Sequence, residues 1–461
     1  MIHLSIRKAT FLVLFAFLLL TSISEAGLRE NVFETVLPNG LKVILLENPK
    51  APLVTFQVWY RVGSRNEAWG KTGLSHVLEH MMFKGTEKTG PEQFSRIIQE
   101  NGGNDNAFTS YDYTAYFENL SSDRILVAID LESDRMQNLI LREEDFRTER
   151  MVVMEERRLR TDDNPQAVLI EQAMATAFQI HSYHWPIIGW MEDLARLTLD
   201  DLKAYYRTYY NPVNAFLVVV GDFKKEELLP KIEKAFGSYP KGVAPIQDRD
   251  KDPPQLGERR IYVKKDAQLP FLVMGYHVPN LREPDSYILE VIATLLSGGK
   301  SSRFYQSLVR EKRLVLSADA DHSLLSRDPS LFTLSADLLP NKEVAEVEKA
   351  LDQEIECLKN EPVTEKELEK VKNQLESAFI FGQDSIFNQA LLLAQHEIAL
   401  SWRTIDDYIP SIRKVTPEDI QRVAKKYLIP DNRTVGILIP LPPKEGKPVT
   451  SGPTVKERIV R

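Results

Sequence analysis

Leu197–Gly221, LTLDDLKAYYRTYYNPVNAFLVVVG, and Val415–Ile439, VTPEDIQRVAKKYLIPDNRTVGILI, are two copies of one pattern. At a constant offset of 218 residues Thr198, Asp201, Tyr209, Pro212 and Asn214 recur as Thr416, Asp419, Tyr427, Pro430 and Asn432. In each copy the Thr is placed to cap a short amphipathic helix, the Pro ends it, and an apolar run suited to a buried strand follows. Matches in register at five positions point to an internal duplication of a domain of about 200 residues.

Working outward, the stretch GSYPKGVAPIQDRDKDPPQLGER is rich in Pro, Gly and charge and lacks apolar periodicity, as a linker does. It divides the chain into a domain at 27–236, a linker at 237–259 and a homologous domain at 260–461. Each domain opens with strands, at 41–46 and 53–61 in the first and at 260–264 and 271–277 in the second. Helical patterns follow at 74–83, 91–101, 122–138 and 143–160. This mixture lacks regular βαβ alternation, so the expected class is α+β, with an antiparallel-type sheet flanked by helices in each half and the halves facing each other across a cleft. Residues 1–26 read as a cleavable signal peptide: Arg7 and Lys8, an apolar run from Phe11 to Leu20, then Ser24-Glu25-Ala26. The run is too short to span a membrane, and no span is expected in the mature chain.

With 66 acidic against 58 basic side chains and a net charge of -8, the chain lacks the basic excess that nucleic-acid binding needs. Cys357 is its one cysteine, which excludes an internal disulfide and any Cys-based zinc site. A metal would have to be held by His and carboxylates. The segment Leu296-Ser-Gly-Gly-Lys-Ser-Ser-Arg lacks the first glycine of a phosphate loop, where Thr294 stands instead.

The segment Gly73-Leu-Ser-His-Val-Leu-Glu-His-Met-Met-Phe carries the chemistry. Ser75 is placed to cap a helix on which His76 and His80, at i and i+4, share a face. Two imidazoles one turn apart suit a tetrahedral zinc, and Glu79 beside them can act as general base on a water at the metal. H-x-x-E-H is the inverted order of the commoner zinc motif. Two histidines are not a site, and the helical pattern at 143–160 offers more ligands, with Glu149 and Glu156 on the same stripe as Phe146 and Val153. Carboxylates on an apolar stripe are costly unless paired or bound to a cation. The alternative is a solvated, salt-bridged helix, since Arg147, Arg150, Arg157 and Arg158 stand nearby, and spacing alone leaves the two even.

HVLEHMMFKGT, NAFTSYDYTAY and ERMVVMEE, in this order and spacing, resemble the pitrilysin family of zinc peptidases and, within it, its bacterial processing-peptidase-like members. The resemblance covers essentially the whole chain after residue 26. It implies one zinc per chain, held by His76, His80 and Glu156, with Glu79 as catalytic base and Glu149 as a supporting acid. It implies an endopeptidase acting on peptides or unfolded segments, with no second metal site, because Glu156 falls on Gln374 at the 218 offset. The rival is a non-catalytic or zinc-binding interaction subunit. Asn106, Ala107 and Phe108 are expected on an edge strand that receives substrate. The family's second half typically carries Arg-Glu-Lys-x-Gly-Leu-Ala-Tyr; this chain keeps Arg310, a further substrate-binding candidate, but has Leu314 and Ser317 at the Gly and Tyr positions. That departure leads to the expectation of a heterodimer with a related subunit supplying an Arg and a Tyr, the alternative being a homodimer or monomer. Family analogy and the absence of disulfides favour the periplasm over full secretion.

Overall fold

A computed structural model describes residues 28–246 and 251–441; the signal-peptide expectation lies outside the described residues. β1 (Val32–Val36), β2 (Lys42–Glu47), β3 (Leu53–Tyr60), β4 (Asn104–Thr109), β5 (Thr114–Ser121) and β6 (Ala215–Gly221) form one sheet, in the order β1-β2-β6-β3-β5-β4. β7 (Arg259–Asp266), β8 (Phe271–Val278), β9 (Val315–His322), β10 (Ser330–Leu338) and β11 (Arg433–Leu441) form another, in the order β7-β11-β8-β10-β9. Without β1, both read first-fifth-second-fourth-third. In both, only the first and last strands are parallel, β2 with β6 and β7 with β11. The fold is α+β, and its two halves share one topology.

The repeated sequence explains the repeated ends. Thr198 and Thr416 each accept the backbone N–H three residues on, and Asp201 and Asp419 each accept the N–H of their Thr, so both helices, Leu199–Tyr209 and Pro417–Tyr427, start with a capping box. Asn214 and Asn432 each donate to the carbonyl of the preceding repeated tyrosine, Tyr209 at 2.9 Å and Tyr427 at 2.8 Å. This fixes the turn from helix into β6 and β11.

Each sheet is buried on both faces, which is why β6 is apolar throughout. On one face Val43, Leu45, Phe56, Val58, Leu217 and Val219 pack against helices of their own half, including Leu74–Met81 and Glu143–Arg157. Ile44, Leu46, Trp59, Phe216 and Val218 face the other way and meet Ala390, Leu393, Ala394 and Ile398 of a second-half helix, Ile386–Ala399. The second half mirrors this. Leu272, Met274 and Tyr276 pack on its own helices, while Phe271, Val273 and Leu438 meet Leu169 and Ala173 of a first-half helix, Pro165–Ala177. Gly436 lets that helix close in, since a Cβ there would lie 2.9 Å from Val273 and 3.2 Å from Leu169. The halves therefore face each other by exchanging helices. Ion pairs reinforce the contact: Glu397 accepts from Lys42 at 2.7 Å and Arg61 at 2.6 Å.

No described helix is long and apolar enough to cross a membrane. Among the described residues between Phe236 and Arg259 there is neither helix nor strand.

Candidate metal centre

The helix Leu74–Met81 buries Leu74, Val77, Leu78 and Met81 and turns His76, Glu79 and His80 away from that core. Its cap is not Ser75. The cap position is Gly73, at φ 91, and the free N–H groups of Gly73 and Ser75 both donate to the carboxylate of Glu67, each at 2.7 Å. Ser75 sits two residues past the cap position, and its buried hydroxyl bonds Tyr205 Oη at 2.7 Å instead. Burial raises the Glu67 carboxyl to about 8, against the pull of those two N–H groups.

His76 Nε2 and His80 Nε2 lie 3.7 and 3.5 Å from Glu156 Oε2, and one ligand atom from each residue falls within 4.8 Å of the others. Two ligands on a tetrahedral zinc with bonds of ~2.1 Å are separated by about 3.4 Å. The donors thus converge on a point a zinc ion would occupy. His80 Nδ1 lies 3.0 Å from Glu149 Oε2, whose other oxygen takes Lys84 Nζ at 2.7 Å. That bond fixes the His80 ring and leaves Nε2 for a cation. His76 Nδ1 is buried with no hydrogen-bond partner among the described residues. Burial depresses the His76 imidazole to about 4, with the charge of His80 adding to it. Burial acts the same way on His80, but its bonds to Glu149 and Glu156 prevail and lift it to about 9. Glu149 is held below the usual carboxylate range, first by its bond to His80. Glu156 is also lowered, its burial outweighed by His80, His76 and Arg160.

The four arginines near this stripe have partners other than Glu149 and Glu156. Arg147 pairs with Glu143, Arg158 with Glu155 and Arg157 with Glu171, while Arg150 bonds the carbonyls of Ala195 and Leu197. None of the four bonds Glu149 or Glu156. The cation on Glu156 is Arg160, 2.7 Å from Oε1, which the sequence reading did not single out.

Glu79 is bonded by the hydroxyl of Thr109 at the end of β4, and burial raises its carboxyl to about 7 against that bond and the charge of His80. β4 is an edge strand paired only with β5. The Ala107 N–H turns to the side chain of Asn106 at 2.9 Å, outside the ladder. Ala107 packs toward the metal-side core. Phe108 points the opposite way, edge-on to Trp59 at 5.5 Å and within the cluster that meets the second half. The three candidates are therefore not brought together on one face. Arg310 is exposed in the second half, with Gln306 as its partner at 3.3 Å. Ser317 lies on β9, its hydroxyl donated to Asp337 at 2.9 Å.

The model of the insulinase family of peptidases, family M16, matches residues 42–189, and that of the peptidase M16 inactive domain matches residues 196–375. The chain is 36% identical over 409 residues to the zinc protease PqqE of Helicobacter pylori, covering 88% of this chain and 92% of that protein. It is 28% identical to the zinc protease YmxG of Bacillus subtilis, covering 85% and 95% of the two. The crystal structure of a protease from Helicobacter pylori superposes with a TM-score of 0.84 at 34% identity, covering 89% of this chain and 99% of that one.

Proposed function

Because the chain belongs to the M16 family of zinc metallopeptidases, we propose that it is an exported endopeptidase that hydrolyses peptides or unfolded segments at one zinc per chain. The observation that carries this is the convergence of His76, His80 and Glu156 beside a half-buried Glu79. Zinc bound there supplies Lewis acidity and lowers the pKa of water at neutral pH. Glu79, fixed by Thr109, takes the proton of the attacking water and hands it to the leaving nitrogen; a carboxyl raised toward neutrality is suited to both steps. Glu149 holds the His80 ring. The open edge of β4, with the Ala107 N–H turned outward, accepts the substrate backbone as an added strand. Export rests on the composition of residues 1–26, and the periplasm is the compartment proposed.

Glu79→Gln tests the reading. The variant is expected to keep its zinc by metal analysis and to lose turnover of a quenched peptide library; unchanged turnover overturns the assignment and favours a binding protein.

The second half favours a heterodimer with a related subunit. Position 317 carries Ser, so it offers no phenol to an oxyanion, and its hydroxyl is engaged by Asp337 within its sheet. Losing such a donor costs about 10²–10³ in rate. Addition of the related subunit is expected to restore it. Full activity of the chain alone, undiminished by dilution, rejects the heterodimer.

A further inference from the structure

The two oxygens of Glu156 have different partners. Oε2 faces both imidazoles, and Oε1 lies 2.7 Å from Arg160 NH1. Arg160 reaches it from an unusual backbone: the helix Glu143–Arg157 gives way at once to a π turn, Arg158–Asp162, an insertion that collects at functional sites. The turn is anchored from two sides. Arg157, 4% exposed, grips Glu171 at 2.8 and 2.9 Å and the Gly189 carbonyl at 2.7 Å. From the second half, Lys265 Nζ bonds the carbonyl of Asp162. The backbone is fixed while the Arg160 side chain, 70% exposed, is held by no core packing.

A carboxylate can bind a metal through one oxygen or two. Two imidazoles and a two-oxygen Glu fill four places, which is the closed pattern of a structural zinc; catalysis needs one place free. We propose that Arg160 is a positioning residue that occupies Glu156 Oε1, restricts the ligand to Oε2 and keeps the fourth place open. This rests on the zinc reading above.

Cobalt(II) in place of zinc tests it, because a water in the open fourth place ionises as the pH rises and shifts the visible cobalt spectrum, whereas a site closed by a two-oxygen Glu holds no such water. Arg160→Gln is expected to bind one metal per chain with an unchanged melting temperature, to lose the pH dependence of its cobalt spectrum as Glu156 turns two-oxygen and fills the fourth place, and to lose kcat by ~10–100-fold with KM little changed. Arg160→Lys, which keeps the cation, is expected to restore part of both. A cobalt spectrum and kcat of Arg160→Gln equal to those of the parent overturn the inference and leave the zinc reading standing. A parent chain that takes up neither cobalt nor zinc overturns both.

Discussion

The two halves carry the same framework and differ at the few positions proposed to hold a metal. At the 218 offset Thr294, Ser297 and Gly298 replace His76, Glu79 and His80, and Gln374 replaces Glu156. The helices still meet there: Gln374 Nε2 donates to the Gly298 carbonyl at 3.3 Å, where Glu156 faces His80 in the first half. Glu367, at the place of Glu149, pairs with Arg303 at 2.9 Å instead of a histidine. An amide–carbonyl contact therefore closes the second half where three ligands converge in the first. Strand order, capping boxes and helix contacts belong to the duplicated fold, whereas the proposed chemistry rests on four side chains laid on one copy.

Giving the first half the residue of the second breaks the comparison most severely. Glu156→Gln removes the anionic ligand, and zinc affinity should fall by more than the ~10–100-fold typical of losing an outer-shell partner. Chelator competition measures it. The reverse change, Gln374→Glu, is expected to leave one metal per chain, because among the described residues no imidazole forms a metal-binding group with it. Retention of zinc by Glu156→Gln at parental affinity would transfer the ligand role to Glu149.

The cores differ as well. In the first half Arg135, 2% exposed, bonds Glu132 at 2.5 and 3.0 Å and approaches Glu118 at 3.5 Å, with its guanidinium 4.0 Å from the Phe94 ring centre. Burial, with the charge of Glu132 beside it, pushes the Glu118 carboxyl well up. Glu118 pairs with Phe56 across the sheet; the equivalent partner of Met274 is Leu334. Arg135→Met strands two buried acids and should cost about 3–5 kcal/mol by chemical denaturation. Replacing Glu118 and Glu132 by Leu in the same chain should recover most of it. Failure to recover would mean that the cluster contributes more than ion pairing.

Much of this was legible in the sequence, for reasons that particular residues show. The starts of β3 and β8 and the repeated caps follow from local patterns that need no partner. His76 and His80 were readable because i, i+4 spacing fixes a shared face. The Ser75 cap failed because its competitor, Glu67, comes from a separate turn and is chosen by tertiary packing. Phe108 was grouped with Ala107 although successive strand residues point to opposite faces, so alternation held the signal that separates them. Arg160, four residues past Glu156, was within reach of the same i, i+4 argument, and that signal went unused. The exchange of helices was not readable at all, since an apolar stripe does not say which sheet it covers.

That exchange yields the next test. Leu393 in the second half and Leu169 in the first are fully buried against the opposite sheet. Leu393→Ala and Leu169→Ala should each cost about 2–5 kcal/mol. If the halves stand or fall together, Leu393→Ala also lowers the temperature at which zinc is released from the first half. Zinc release unaffected by Leu393→Ala would show that the halves unfold independently.

The smallest effect separates the two capping boxes. Thr198→Ala and Thr416→Ala each remove a hydroxyl that accepts an N–H at 3.2 Å, so each should cost roughly 1 kcal/mol. The boxes differ in their cations: Asp201 pairs with Lys71 at 2.6 Å, where the 218 offset places Leu289, while Asp419 pairs with Arg422 at 3.1 Å, where the offset places Ala204. Burial raises the Asp201 carboxyl, but Lys71 and Thr198 together hold it below its usual value. A depressed carboxyl contributes stability that is present above its unfolded pKa of about 3.9 and is lost as the pH falls through the folded value. The penalty of Thr198→Ala should therefore shrink on acidification, and Lys71→Met should remove part of that dependence. Denaturation at neutral and at acid pH measures both; a penalty for Thr198→Ala that stays constant between them would show that the Thr198 bond does not depend on the Asp201 charge, and an unchanged pH dependence in Lys71→Met that the Lys71 contact adds nothing to the first box.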